Sequence, residues 1–593
     1  MNTNFIYVVL YFGVCILNQR LALCGQQCRC LASNSSCWPS FAQWNNFNQS
    51  VGGCLFSPMP SAAVCNGITY NANRCNITKI YWSDGFWRSN QAGAMQNYNW
   101  ENTSCSITTN STMCNQGAVP VMAVNATLPE QVQATVNFAA ASNIRLVIKS
   151  TGHDYLGRSA AAGSLLLWVH YMKNMTIINQ YSWCGRENIS NAARIGAGAQ
   201  WGEVYEWLDG FNLTAVGGAS ASVSAVGGYL QGGGHSPLSR WKGLAADQVL
   251  EYDVILASGA RQTVSPCQNG NLFWALSGGG GGTYAVVLSA VIRTFPSPYI
   301  VAATYGVTVP NQTRYATLID SFVRLLSTVA DAGWSGYFQM TDLTLTGIFI
   351  VPNGNMQAVN TTLNQFAANN SDLDFGGSAF FTLPSFFYFF AMALAPNNPT
   401  GFDVLLGSRL IPESIIRNYP SQVASVFVQA KGVSAMGSSL LGHLVAGGQV
   451  SNVSNFNNSV NPGWRSSLLH MVCTQSWLDT TAATDINYVI QLLANRTAML
   501  NTLSATPQGS CYLNEANPNE LNWQETFFGS SAIYAQLKSI KNTVDPNGLF
   551  VCNNCVGSDD WTSNLNCPKI SSSTTKVNYS LFILFIAIIT ISF

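Results

Sequence analysis

The sequence predicts an α+β protein, and three observations carry that expectation. Between residues 115 and 297, short apolar runs alternate with helix-patterned segments. Three glycine-rich loops interrupt this alternation, each next to a strand. From 298 to 510, strand-like runs mix with helices in a less regular order. Glycine-rich loops beside strands let backbone N–H groups wrap a phosphate, because no Cβ blocks the approach and positive φ is open.

In chain order, FIYVVLYFGVCIL is an apolar run too short for a comfortable membrane span. Small or neutral residues follow it (Ala22, Cys24, Gly25), so residues 1–24 read as a signal peptide. Residues 25–114 form a Cys- and Trp-rich leader with no long periodic segment. LPEQVQATVNFAAASN then reads as a helix and IRLVIK as a strand. SLLLWV, ARIGAG, WGEVYEWLDGF and LTAVGG continue as strand, strand, helix and strand. QVLEYDVILASGARQTVSP is a hairpin turned at Ser258-Gly259, and NLFWALSGGGGGTYAVVLSAVIRTF a helix, a glycine turn and a strand. In 298–510, FTLPSFFYFFAMAL and SSLLHMVC are expected as strands. NQTRYATLIDSFVRLLSTVA and ATDINYVIQLLANRTAML are expected as helices. A closing segment, 511–561, contains a helix, YAQLKSIKNTV, that stops at Asp545-Pro546. Residues 562–593 join a small-residue stretch, Ser571 to Ser573, to an apolar terminus. That layout matches a GPI-attachment signal, with a short tail anchor as the other reading.

Composition narrows the function classes. The 593 residues suffice for two or three cores. Charged residues make up 9% and the formal net charge is zero, so there is no basic field for nucleic acid. Asn-x-Ser/Thr sequons recur from Asn34 to Asn495 and supply glycans as the solubilising groups of a secreted chain. The 17 cysteines fit an oxidising compartment. Cys552-Asn-Asn-Cys555 has a zinc-like spacing, but no second CxxC or His pair lies nearby, so disulfides are expected and no metal.

The glycine loops are KSTGHDYLGRS from Lys149, the stretch Gly217 to Gly234, and GGGGGT from Gly278. Two such loops in one α+β unit point to a dinucleotide. A nicotinamide-type GxGxxG is matched only by Gly196-Ala197-Gly198-Ala199-Gln200-Trp201, where Trp201 stands in the third glycine's place.

In this order, Lys149-Ser150-Thr151-Gly152-His153-Asp154, the Gly217–Gly234 loop, GLAADQVLEYDVILASG and LFWALSGGGGGTYAVVLSAVIRTFP resemble the FAD-binding domain of the PCMH, or vanillyl-alcohol oxidase, type. Tyr512-Leu-Asn514-Glu515 through Trp523, Asp545-Pro546 and Val556-Gly557-Ser558 resemble the closing segment of berberine bridge enzyme-like oxidases. CWPSFAQW and LLGSRLIP resemble the secreted fungal branch.

The resemblance implies an FAD-binding part at 115–297. It further implies a substrate part at 298–510, with an antiparallel sheet covered by helices, and a segment at 511–561 returning to the flavin. It implies that His153 anchors FAD covalently, within the loop Lys149, Ser150, Thr151, Gly152 and Asp154. The second loop contributes Gly217, Gly218, Gly227, Gly228, Gly232, Gly233 and Gly234, Val286-Val287 line the adenine side, and Asn514 lies against the flavin. Many relatives add a cysteinyl tether at a position at or near Ala221. No cysteine occurs between Cys184 and Cys267, so one bond is expected. Tyr512 is the expected base. Strand LLHMVCTQSW offers His470 or Gln475 towards a substrate, although His470 reads equally as a core histidine, and His235 as structural or close to the flavin.

The function this implies is a secreted oxidase of a carbohydrate or small alcohol, with O2 as acceptor. The alternatives are a tailoring oxidase of a phenolic, alkaloid or similar small molecule, and a non-catalytic wall glycoprotein.

Overall fold

The computed structural model describes residues 28–108, 113–396, 398–452, 457–504 and 509–569. The expected signal peptide and the apolar tail lie outside the described residues. Among the described residues, no helix is long and apolar enough to cross a membrane.

The leader is more ordered than its sequence suggests. Helices α1 (Phe41–Ser50) and α2 (Ala72–Ile80) lie in it, each opened by a side-chain cap, from Ser40 and Asn71. Its centre is the Glu101 carboxylate, wholly buried. It accepts from Arg88 at 2.7 Å, from the Ser61 N–H at 3.1 Å and from the Met95 N–H at 3.1 Å. A buried carboxylate with that many donors is tolerated where an unpaired one would not be.

Four strands follow as a first sheet: β1 (Leu55–Phe56), β2 (Met122–Asn125), β3 (Leu146–Lys149) and β4 (Leu165–Trp168), in the order β1-β2-β4-β3. β2, β4 and β3 run parallel. Parallel neighbours need a crossover, supplied here by α3 (Pro129–Ala141), with proline in its first turn. The second sheet is antiparallel, in the order β5-β6-β10-β8-β9. It comprises β5 (Met175–Trp183), β6 (Glu187–Gly196), β8 (Val249–Ile255), β9 (Arg261–Val264) and β10 (Val286–Ile292). The β8–β9 hairpin turns at Ser258-Gly259, as expected. LTAVGG is a strand only over β7 (Leu213–Thr214), which pairs with β11 (Phe295–Pro296).

The third sheet has seven strands, ordered β15-β12-β14-β13-β17-β18-β16 and antiparallel throughout. It is built from β12 (Ile300–Thr308), β13 (Ser335–Thr341), β14 (Thr344–Pro352), β15 (Ala379–Leu383), β16 (Asp403–Pro412), β17 (Ser438–Leu444) and β18 (Ser467–Trp477). Helices α4 (Gln312–Asp331), α5 (Pro420–Ala430) and α6 (Ala483–Asn501) share one core with Phe338, Met340, Leu440, Leu469 and Met471 of these strands. The alternate residues face the other half of the molecule. FTLPSFFYFFAMAL departs from its expected strand after Leu383, because Ser385 caps a helical turn at Phe386–Phe389 that continues as a π-turn to Leu394.

Among the described residues there are six disulfides: Cys28–Cys567, Cys30–Cys37, Cys65–Cys75, Cys105–Cys114, Cys184–Cys267 and Cys552–Cys555. Cys552 and Cys555 therefore pair with each other. Cys54, Cys473 and Cys511 are free.

The closing segment is fixed by α7 (Ser531–Val544). From it Lys541 donates to the Thr283 carbonyl in the third glycine loop at 2.6 Å, to the Phe550 carbonyl at 2.9 Å and to Asp545 at 2.5 Å. Asp545 also accepts from the N–H groups of Leu549 and Phe550, both at 2.8 Å. Asp545→Ala would leave a buried ammonium without its counter-charge. It should lower stability to denaturant by about 3–5 kcal/mol; a loss below about 1 kcal/mol would show that the pair does not hold this segment.

Candidate active site

The first glycine loop leaves β3 and is shaped by its acidic residue. The Asp154 carboxylate accepts from the N–H groups of Leu156 at 3.2 Å and Ser159 at 3.1 Å, and from the N–H of Arg158. It also pairs with the Arg158 guanidinium at 2.8 Å. His153 Nε2 meets the Ser222 hydroxyl at 2.8 Å, and Asn398 donates to the same hydroxyl at 3.0 Å. Burial pushes the His153 imidazole down to about 3, so the ring is neutral. The Ser150 hydroxyl donates to the Ala197 carbonyl at 2.8 Å, and Thr151 accepts from the Ser224 N–H at 3.3 Å.

A narrow channel runs along Ser150 to Asp154, Gly227, Gly228, Gly281, Gly282, Ala285 and Val287. The loops bearing Gly228 and Gly281 touch: a Cβ on Gly281 would stand 2.7 Å from the Gly228 Cα. The closing segment enters through Asn514. Its amide N–H group donates to the Gly228 carbonyl at 2.9 Å and to the Tyr512 hydroxyl at 2.9 Å, while its oxygen accepts from Arg158 at 3.2 Å. Gly232 leaves room for it, since a Cβ there would lie 2.4 Å from the Asn514 nitrogen.

At His153, Arg158, Val223, Gly228 and Tyr229 the channel opens into a larger cavity of about 640 Å³. Its far wall is the free face of the third sheet: Tyr337 and Gln339 of β13, Ile348 of β14, and Leu441 and His443 of β17. Tyr512, Asn514 and Glu515 close it. Burial, and after it the Glu515 carboxylate, raise the Tyr512 phenol well above its ordinary value. The Asn514 amide, the Gly234 backbone and Arg158 pull the other way and lose. The protein's own groups therefore do not lower the Tyr512 phenol.

Beside Tyr512, four side chains converge. His235 Nε2 lies 3.1 Å from Glu515, the Nδ1 atoms of His443 and His470 lie 3.2 Å apart, and Glu515 stands 3.6 Å from His470 and 3.9 Å from His443. Burial lowers His443 to about 4 and His470 well below its ordinary value, against the pull of Glu515. Burial pushes the Glu515 carboxyl up, but His235, His470 and His443 together pull it further down.

Several expected residues lie elsewhere. Lys149 turns away from the channel, since neighbours on a strand alternate, and its ammonium donates to the carbonyls of Gln91 at 3.1 Å, Ala92 at 2.8 Å and Ala94. Burial lowers it to about 7. Of the Val286-Val287 pair, Val286 packs with Leu288 on the far side of β10 and Val287 lines the channel. Gly217 lies under the rings of Trp201 and Tyr205. Ala221 packs against Gly202, and the cavity-facing neighbours are Ala219 and Ser220, neither of them a cysteine. Gln475 donates to the Met436 carbonyl at 2.5 Å and lies off the cavity. It is five residues from His470, and an odd separation on a strand puts the two on opposite faces. Gly218, Gly227 and Gly228 line the cavities, while Gly233 and Gly234 turn the second loop beneath Tyr512 and Tyr229. Sequence reasoning missed Ser222, Arg158, His443 and Glu515. Arg158, Ser222 and Glu515 sat inside motifs already singled out, and only His443 lay outside them.

The FAD binding domain family matches residues 120–265, and the family described as berberine and berberine like matches 511–557. An FAD-linked oxidoreductase of Arthroderma benhamiae is 36% identical over 564 residues, covering 91% of this chain and 95% of that protein. The VAO-type flavoprotein oxidase VAO615 of Thermothelomyces thermophilus is 34% identical, covering 90% and 93%. Among solved structures, the VAO-type flavoprotein MtVAO713 of Myceliophthora thermophila superposes with a TM-score of 0.84 at 29% identity, covering 92% of this chain and all of that one. A glucooligosaccharide oxidase of Acremonium strictum, whose FAD is 6-S-cysteinyl and 8α-N1-histidyl, shares the fold at 19% identity and a TM-score of 0.62, covering 82% and 98%. The chain thus belongs to the FAD-linked oxidoreductases of the vanillyl-alcohol oxidase type with a berberine-like closing segment.

Proposed function

We propose that this protein is a secreted oxidase that takes hydride from a CH–OH group of a carbohydrate or small alcohol, with FAD held through His153 alone and O2 as acceptor. One observation carries the reading: His153, Asn514 and Tyr512, from opposite ends of the chain, line a single cavity beside the glycine channel.

The channel fits a flavin dinucleotide. Among the described residues, the N–H groups of Thr151, Gly152 and His153 find no protein acceptor, and the buried Gln231 side-chain oxygen has no partner. A Cβ at Gly228 or Gly282 would meet open space. Backbone N–H groups on such glycine loops suit a pyrophosphate. The Ser222 hydroxyl occupies His153 Nε2, which leaves Nδ1 as the attachment atom. Neither Ala219 nor Ser220 offers a thiol, which supports a single bond.

FAD bound there supplies the hydride acceptor, and its reoxidation by O2 yields H2O2. The protein's own task is to hold the donor carbon still and to receive the hydroxyl proton. Tyr512 Oη is the receiving atom, oriented by the Asn514 amide. Aromatic faces of Tyr155, Tyr229 and Tyr337 line the cavity and suit a pyranose ring, with Arg158, Gln339 and Asn398 as hydrogen-bonding groups. The largely apolar wall around Ile348, Leu394 and Leu441 favours, as a second reading, a less polar alcohol such as a phenolic. Six disulfides and the many sequons support an oxidising, extracellular setting. Attachment by a GPI anchor rests on the tail sequence alone.

Peroxide release from the purified flavoprotein across a panel of mono- and oligosaccharides is the direct test. Release with sugars supports the first reading, and release only with phenolic or apolar alcohols moves the donor to the second. Reduction of a dye acceptor without any peroxide would contradict an oxidase. Tyr512→Phe should lower kcat by about 10²–10⁴-fold while the protein stays yellow. The sign of the pH effect follows from the raised phenol: its base form grows as pH rises, so kcat/KM should climb between pH 6 and pH 9. That slope should vanish in Tyr512→Phe. A wild-type rate that falls over this interval would exclude Tyr512 as the base.

A further inference from the structure

The histidine and carboxylate cluster on the cavity wall is more than the proposed oxidation requires. Its four inward atoms come from four separate elements: His235 from the second glycine loop, His443 from β17, His470 from β18 and Glu515 from the closing segment. All four atoms lie within 4.8 Å of one another. We propose that His235, His443, His470 and Glu515 form a binding site for one divalent first-row transition metal ion, of which zinc is the first candidate.

Geometry supports this. Zinc binds imidazole nitrogen at about 2.0–2.1 Å, and the edge of a tetrahedron around such an ion is about 3.3 Å. The separations of 3.1 Å from Glu515 Oε1 to His235, 3.2 Å between His443 and His470, and 3.6 and 3.9 Å from Glu515 Oε2 to His470 and His443 bracket that edge. Three imidazoles with one carboxylate are a borderline-soft donor set that suits zinc and its neighbours better than calcium or magnesium.

Charge supports it independently. Among the described residues, every ion-pair partner of Glu515 is an imidazole, and no lysine or arginine pairs with it. Two of those imidazoles, His443 and His470, are buried. A carboxylate only 21% exposed and without a lysine or arginine partner carries a desolvation cost that a bound cation offsets. His235, His443 and Glu515 line the cavity, so an ion held by them faces the space in which the substrate oxygen would lie.

Binding of the ion stands apart from the oxidase reading. Tag-free, flavin-loaded protein should be stripped with a chelator and dialysed against micromolar zinc. Its metal content is then measured beside its flavin absorbance. The expected result is one zinc per chain in the wild type, with affinity weakened about 100-fold or more in Glu515→Gln and in His470→Asn. Both variants should keep the wild-type flavin spectrum, which separates loss of the site from loss of the fold. A wild-type protein holding no more zinc than these variants would overturn the proposal. One zinc per chain in a protein that releases no peroxide would leave the metal site standing and remove only the oxidase reading.

Discussion

One side-chain amide joins the parts of this molecule that must meet for a flavin site to exist. Asn514 bonds to Arg158 of the first loop, to the Gly228 carbonyl of the second and to Tyr512 in its own segment. Arg158 and Gly228 each lie more than 280 residues from Asn514 in sequence, so their meeting depends on the closing segment lying along the glycine loops. The Lys541–Asp545 pair fixes the same segment to the third loop. Hydrogen bonds to a backbone carbonyl and to a guanidinium fix position and not merely proximity, because each is directional. The segment is thus a wall of the site as well as a terminus of the fold.

The rest of the architecture follows from alternation. The strands of the third sheet send one set of side chains into the helix-covered core and the other to the opposite face, which in β13, β14 and β17 lines the cavity. Leu469 and Met471 go to the first, His470 to the second. A single sheet can therefore provide both a hydrophobic core and a polar wall. The cost of burying His443 and His470 shows in their depressed basicity, and such groups concentrate where a protein binds something.

Much of this was legible in the sequence, and the reason is local. Helix α3 with its Pro129 start, the Ser258-Gly259 hairpin and α7 ending before Asp545-Pro546 are fixed by neighbours in the chain. The motif order around His153 and Tyr512 pointed to the family. What stayed hidden depends on side-chain direction. Lys149 was expected on the channel, but strand alternation aims it at the leader. Val286 and Val287 could be told apart only by the register of β10. Gln475 failed for the same reason, lying an odd number of residues from His470. The histidine cluster had no signature because its members come from four distant segments and share no spacing.

The central claim is that His153 alone carries the flavin at the mouth of the glycine channel. Trypsin cuts after Lys149 and Arg158, so the peptide Ser150–Arg158 isolates that histidine from every other candidate. Mass analysis of the digested protein should find this peptide carrying one FAD, and find no cysteine-containing peptide with flavin mass. An unmodified Ser150–Arg158 peptide from a protein that is yellow before digestion would contradict the account.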